Sequence, residues 1–273
     1  MAYIDHPIYL LHNTGDGHPE SPQRLIAIEE KLKTSGLFEQ LIHYDAPLVT
    51  DKQLKRAHNI NYLRHIEADA PASKNDTVYL DQDTRMSYHS LEAAKRSAGA
   101  VVLATDLVLN NEVNKAFSAV RPPGHHANHN RSMGFCIYNN VMVGIYHALA
   151  RGIERVALLD FDVHHGNGSE NIIADDKRIL FCSTFQHPYY PDEPFKNNEH
   201  IICSGLPSGS GSAEFRNEVE NKWIPALDDF KPEIIFVSAG FDGHKDDRLA
   251  GLNFTTDDYH WIAKIILDMS EKY

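Results

Sequence analysis

The sequence predicts an α/β fold in which a mainly parallel sheet is covered by helices on both faces. Two observations carry this. Short apolar runs at Ala116–Val120, Val156–Phe161, Ile179–Ser183 and Ile234–Ser238 alternate with helical stretches, and 273 residues suffice to bury one large core. A single domain over 1–273 is the expectation. The first helix starts at Ser21-Pro22, an N-cap and first-turn pair, presents Leu25, Ile28 and Leu32 on one face, and stops at Gly36. A second, about Ser87 to Leu109, is rich in Ala and ends in Asn110-Asn111. Later helices are expected at about Tyr138–Ala150, Ser169–Ala174, Ser212–Asp229 and Thr256–Met269. One long irregular segment, His187 to Ser210, is rich in Pro, Gly, Ser and Asn, as functional loops often are.

Composition narrows the function. Lys plus Arg make 26 and Asp plus Glu 38, a formal charge of −12, the wrong sign for neutralising phosphates, so direct nucleic-acid binding is not expected. No apolar run approaches the roughly 18 residues of a membrane helix, and the N-terminus lacks the basic and apolar regions of a secretory signal. The three cysteines, Cys136, Cys182 and Cys203, show no CxxC spacing and read as small buried residues, which suits a soluble protein in a reducing cytoplasm. Nothing in the composition sets an oligomeric state. The unusual count is 17 histidines.

Each strand just named, apart from Ile179–Ser183, is followed by polar residues of catalytic type. Val120 leads into Arg121-Pro-Pro-Gly-His125-His126, Leu159 into Asp160-Phe-Asp162-Val-His164-His165, and Ser238 into Ala-Gly-Phe-Asp242. In a parallel sheet the carboxyl ends of strands share one edge, where these distant residues should converge. If the backbone stays extended, Asp160, Asp162 and His164 lie on one face. Two carboxylates beside an imidazole call for a cation, and three protein ligands with an open position suit a catalytic zinc. The alternative is that they cap the following helix. His125-His126, on a turn held by Pro-Pro-Gly, suit paired acid–base work, but a hydrogen-bonded structural pair or two metal ligands remain open. His43, His58, His65, His89, His147 and His200 lie outside these groups and read as ordinary surface or core residues.

Taken together, Arg121-Pro-Pro-Gly-His-His-Ala127, Gly134-Phe-Cys136, Asp160-Phe-Asp-Val-His-His-Gly-Asn-Gly168 and Ser238-Ala-Gly-Phe-Asp242 resemble the histone deacetylase and acetylpolyamine amidohydrolase family in order and spacing. His18-Pro-Glu-Ser-Pro-Gln-Arg24 resembles the family's N-terminal motif, and Asn167 resembles the class II-like branch. The resemblance implies an arginase-like α/β fold and a zinc-dependent amidohydrolase acting on acyl-lysine in a protein or peptide, or on a small N-acyl amine. It implies zinc on Asp162, His164 and Asp242, His126 as general base, His125 paired with Asp160, and Asn167 orienting His126. Gly134 and Phe135 would line an acyl-lysine tunnel faced by Tyr190, where the family usually has Phe. Potassium would sit among Asp160, His164 and Ser183, and Arg24 would lie deep, near an acetate exit. Leu249 stands where polyamine-specialised relatives carry an acid, so a neutral mouth favours lysine-like substrates.

One departure stands out. The family places an oxyanion-binding tyrosine about forty residues beyond the last zinc aspartate, after a Gly-Gly turn. Only 31 residues follow Asp242, and neither Tyr259 nor Tyr273 has that context. A longer natural protein is therefore expected, with a non-catalytic acyl-lysine-binding member as the alternative. A two-metal arginase-like hydrolase would need more carboxylates than the motif provides.

Overall fold

Parallel pairing, expected from the alternation of strand and helix, is found in two sheets. A computed structural model describes residues 1–273 and divides them into two units, Met1–Ala150 and Arg151–Tyr273. No helix is long and apolar enough to cross a membrane.

In the first unit, in chain order, lie β1 (Ala2–Asp5), α1 (Gln23–Thr34), β2 (Ile42–Asp45), α2 (Asp51–Leu54), α3 (Ile60–Ala68), β3 (Thr77–Tyr79), β4 (Arg85–Ser87), α4 (Ser90–Leu109), β5 (Ala116–Ser118) and α5 (Asn140–Ala150). Strands β2, β1 and β5 form a parallel sheet with β1 central, and β3 and β4 form an antiparallel hairpin. Helix α4 starts at Ser90, later than expected, because β4 occupies Arg85–Ser87 and the Ser90 hydroxyl accepts the Ser87 N–H (2.8 Å). Its buried face of Ala93, Ala98 and Ala100 lets backbone approach closely. A Cβ on Gly99 would lie 1.9 Å from the Pro47 carbonyl oxygen, so only glycine fits there.

The second unit contains β6 (Val156–Asp160), α6 (Asn167–Ile173), β7 (Ile179–Gln186), β8 (Ile201–Leu206), α7 (Ser212–Glu218), α8 (Ile224–Phe230), β9 (Ile234–Ser238) and α9 (Thr256–Lys272). The sheet order is β8-β7-β6-β9, all parallel. Strands β6 and β7 are buried throughout, as continuous apolar runs in a parallel sheet should be. Register sets Asp160 abreast of Ser183 on one side and Ser238 on the other, so the segments that follow β6 and β9 leave from one row.

Two expectations need correction here. The segment His187 to Ser210 is not irregular throughout. It holds β8, started by Asn198, whose Oδ1 accepts the Ile201 N–H (2.9 Å), and steadied by Asn197, whose Oδ1 accepts the Cys203 N–H (2.8 Å). The single helix expected over Ser212–Asp229 carries a π turn at Val219–Trp223, just before Pro225, whose missing N–H and ring disturb regular α pairing.

Asp258 ties α7 to α9. Its buried carboxylate accepts from Ser212 Oγ (2.7 Å), Arg216 Nε (2.9 Å), and the N–H and hydroxyl of Thr255 (2.8 Å each), completing a capping box. Burial alone would raise its pKa, but these hydrogen bonds outweigh it and hold the group below the usual carboxylate range. Asp258→Ala is expected to cost about 2 kcal/mol in a denaturant titration at neutral pH. Since the folded pKa is depressed, this stability is present above the unfolded value and fades as pH falls through the folded one. The difference from wild type should thus shrink below about pH 4.

Candidate functional site

In the second unit, β6 ends at Asp160 and the residues after it form a loop rather than extended strand. Asp162 and His164 therefore do not meet through a period of two. The loop is stitched instead by side chains that accept backbone N–H groups. Asp160 Oδ1 accepts from Asp162 (3.1 Å), Asp162 Oδ1 from His164 (2.8 Å), and Asp242 Oδ1 from Val163 (3.1 Å).

The result is a tight group. His164 Nδ1 stands 3.1 Å from Asp162 Oδ1 and 3.0 Å from Asp242 Oδ2, and one ligand atom from each residue lies within 4.8 Å of the others. Burial disfavours charge on His164, yet hydrogen bonds to Asp162 and Asp242, which accept from its ring, outweigh it and push its pKa up to about 10. Asp242 is pushed up by burial and then by the Asp162 charge. A partly buried site with two carboxylates converging on one imidazole nitrogen favours a cation, and its N and O donors suit zinc. Helix capping, the alternative reading, is not what these side chains do, because the N-cap of α6 is Gly166, with no side-chain cap. Gly240 makes the approach possible: a Cβ there would fall 2.2 Å from Asp162 Oδ2.

The surroundings are aromatic. Tyr189 stacks on the His164 ring (centroids 5.6 Å, 24°), Tyr190 meets it edge-on (5.9 Å, 82°), and the Tyr189 hydroxyl donates to the Leu249 carbonyl. Tyr189 was invisible to spacing arguments, since only contact separates it from Tyr190. Leu249 is half-buried. Asn167 Nδ2 donates to Glu193 Oε2 (2.8 Å). Beside Asp160, which is fully buried, the buried Ser183 hydroxyl has no protein partner.

A second buried group is formed by His165, Glu170 and Cys203. Glu170 accepts from His165 Nε2 (2.9 Å) and from the Lys196 N–H (3.1 and 3.2 Å to its two oxygens), with the Cys203 thiol at 3.8 Å. All three cysteines are buried.

In the first unit, Arg121 anchors the Pro-Pro-Gly-His-His turn. Its guanidinium, 1% exposed, pairs in bidentate fashion with the equally buried Glu20 and donates Nη1–H to the Tyr9 carbonyl (2.6 Å). His125 and His126 are buried, with ring centroids 4.0 Å apart. Gly134 packs on His126, for a Cβ there would lie 2.3 Å from the ring; Gly134 and Phe135 both have left-handed backbone (φ +57° and +67°). Arg24 departs from expectation. It is exposed on the first turn of α1, and the deeply buried guanidinium is that of Arg121. Among the histidines set aside, His58 is structural: Nδ1 bonds to the Asn128 carbonyl, Nε2 accepts the Asn139 N–H, and burial lowers its pKa to about 4.

The Histone deacetylase domain family matches residues 18–273. The chain is 34% identical to a histone deacetylase-like amidohydrolase of Pseudomonas aeruginosa, over 94% of this chain and 69% of that protein. It is also 34% identical to type-2 histone deacetylase 2 of Dictyostelium discoideum, over 99% of this chain but only 18% of that protein. The crystal structure of the HDA15 HD domain superposes with a TM-score of 0.91 at 29% identity, covering 98% of this chain and 82% of the other.

Proposed function

The chain belongs to the histone deacetylase domain family, and from that membership we propose that it is a zinc-dependent amidohydrolase removing acetyl or related acyl groups from lysine side chains. The observation that carries this reading is the convergence of Asp162, His164 and Asp242. These three would hold the zinc. When bound, the metal supplies polarisation of the amide carbonyl and activation of water.

The remaining chemistry falls to the chain's own side chains. His126 acts as general base, taking a proton from the attacking water and returning it to the leaving amine. His125, paired with Asp160, gives electrostatic support, and Asn167 orients His126. Gly134, Phe135 and Tyr190 line the acyl path. Leu249 supplies a neutral mouth, which favours a lysine side chain over a polyamine. Potassium is proposed among Asp160, His164 and Ser183, supported by the orphaned Ser183 hydroxyl beside a buried carboxylate.

The test is a panel of substrates at equal concentration: acetyl-, propionyl- and butyryl-lysine peptides against acetylated diamines and polyamines. The acyl-lysine peptides should give the higher kcat/KM. Preference for the small amines would transfer the proposal to a polyamine-type amidohydrolase, and no turnover of either would leave an acyl-lysine-binding protein.

A further inference from the structure

The left-handed dipeptide Gly134-Phe135 is held by a clamp that no catalytic assignment uses. Asp83 and Thr84 sit at the turn of the β3–β4 hairpin, where Asp81 Oδ1 accepts the N–H groups of Asp83 (3.0 Å) and Thr84 (2.7 Å) and the Leu80 N–H reaches the Thr84 carbonyl (2.8 Å). From this fixed turn, Asp83 Oδ1 accepts the Gly134 N–H (3.1 Å) and Thr84 Oγ1 accepts the Phe135 N–H (3.1 Å). The Thr84 hydroxyl donates in turn to Asp83 Oδ1 (3.1 Å), so the two backbone N–H groups and two side chains form one closed network.

Such a network has a definite purpose. Left-handed backbone is unfavourable for a bulky residue such as Phe135 and persists only when its surroundings impose it. Two successive N–H groups turned toward a carboxylate and a hydroxyl are that imposition. Thr84 is 1% exposed, which shields its bonds from competing water. On the other side, His18 meets the Phe135 ring edge-on (4.6 Å, 75°), and the absence of a Cβ at Gly134 lets this backbone lie against the His126 ring.

We propose that Asp83 and Thr84 are positioning residues: by fixing the backbone of Gly134 and Phe135 they set the place of the His126 imidazole and the bore of the acyl path. The proposal rests on the reading of His126 as base and Phe135 as wall, and its test separates the two. Thr84→Val keeps the side-chain shape and removes the hydrogen bonds, whereas Thr84→Ser keeps them. Two readouts are taken, kcat/KM on acetyl- and butyryl-lysine peptides and the ring cross-peaks of His126 in histidine-labelled protein, assigned from their loss in His126→Gln.

In Thr84→Val the His126 cross-peaks should move, kcat/KM on the acetyl peptide should fall about ten- to a hundredfold, mostly in kcat, and the butyryl-to-acetyl ratio should rise. Thr84→Ser should restore all three. A folded Thr84→Val with wild-type cross-peaks overturns the proposal, as does failure of Thr84→Ser to restore them. Should Thr84→Val not fold, Asp83→Ala removes the Gly134 acceptor at a partly exposed position and is judged by the same readouts. If wild type turns over no acyl-lysine, the enzymatic reading fails, while the cross-peaks still decide the clamp.

Discussion

Asp242→Ala should leave the protein folded but without zinc, and should lower turnover of an acetyl-lysine peptide by at least about a thousandfold, the loss of about 4 kcal/mol of transition-state stabilisation. The reasoning is geometric. Asp242 and Asp162 flank a single nitrogen of His164 at 3.0 and 3.1 Å, so removing either carboxylate leaves two donors where an open zinc site uses three. Asp162→Ala should behave alike, and the double variant should be no worse than either alone, because the three residues act as a unit. Elemental analysis of purified protein checks the metal, and circular dichroism checks the fold. Full zinc retention by the double variant, or two transition metals per wild-type chain, would refute the assignment.

Glu20→Ala should be the most destabilising single change outside that group. It strands the Arg121 guanidinium, 1% exposed, with only neutral backbone carbonyls, those of Tyr9 (2.6 Å) and Glu20 (3.5 Å), as acceptors. Breaking a buried ion pair from one side costs about 3–5 kcal/mol, which in a protein of this size lowers Tm by on the order of 10 °C. Replacing both partners with apolar residues of similar size, as in Glu20→Leu with Arg121→Met, should recover much of the loss, since no charge is then left buried. Thermal unfolding of the single and double variants makes the comparison. A Glu20→Ala protein as stable as wild type would show that the guanidinium finds water there.

Asp160, Asp162, His164 and Asp242 were legible because they follow β6 and β9 directly and a parallel sheet gathers its strand ends, whereas the strand before His125-His126, β5, lies in the other sheet and not in the one expected to gather them all. The trio Asp162, His164 and Asp242 comes together as that logic expects, although the extended backbone invoked for the first two is replaced by a side-chain-stitched loop. What stayed hidden depends on contacts between residues far apart in sequence. Nothing near Glu20 announces Arg121, and nothing in Asp83-Thr84 announces Gly134-Phe135. Strands β1 and β8 were missed because Ala2–Asp5 is short and Ile201–Leu206 carries Ser and Gly within a polar stretch. Arg24 was placed deep by resemblance alone, and its position on the exposed first turn of α1 shows that a matching motif does not fix burial.

The buried carboxylate of Glu170 has a further consequence. By gripping the Lys196 N–H it divides the stretch between β7 and β8 into two spans of different character. The span after it is bound to the sheet through Asn197 and Asn198, and a change of length there would pull on β8 itself. The span before it carries Tyr189, Tyr190 and Glu193 and ends on the fixed point, so it can vary in length and sequence while the frame stays in register. Diversification of acyl preference would thus be written between residues 188 and 194, ahead of Phe195, whose ring packs on His165 and Phe185 and belongs to the frame.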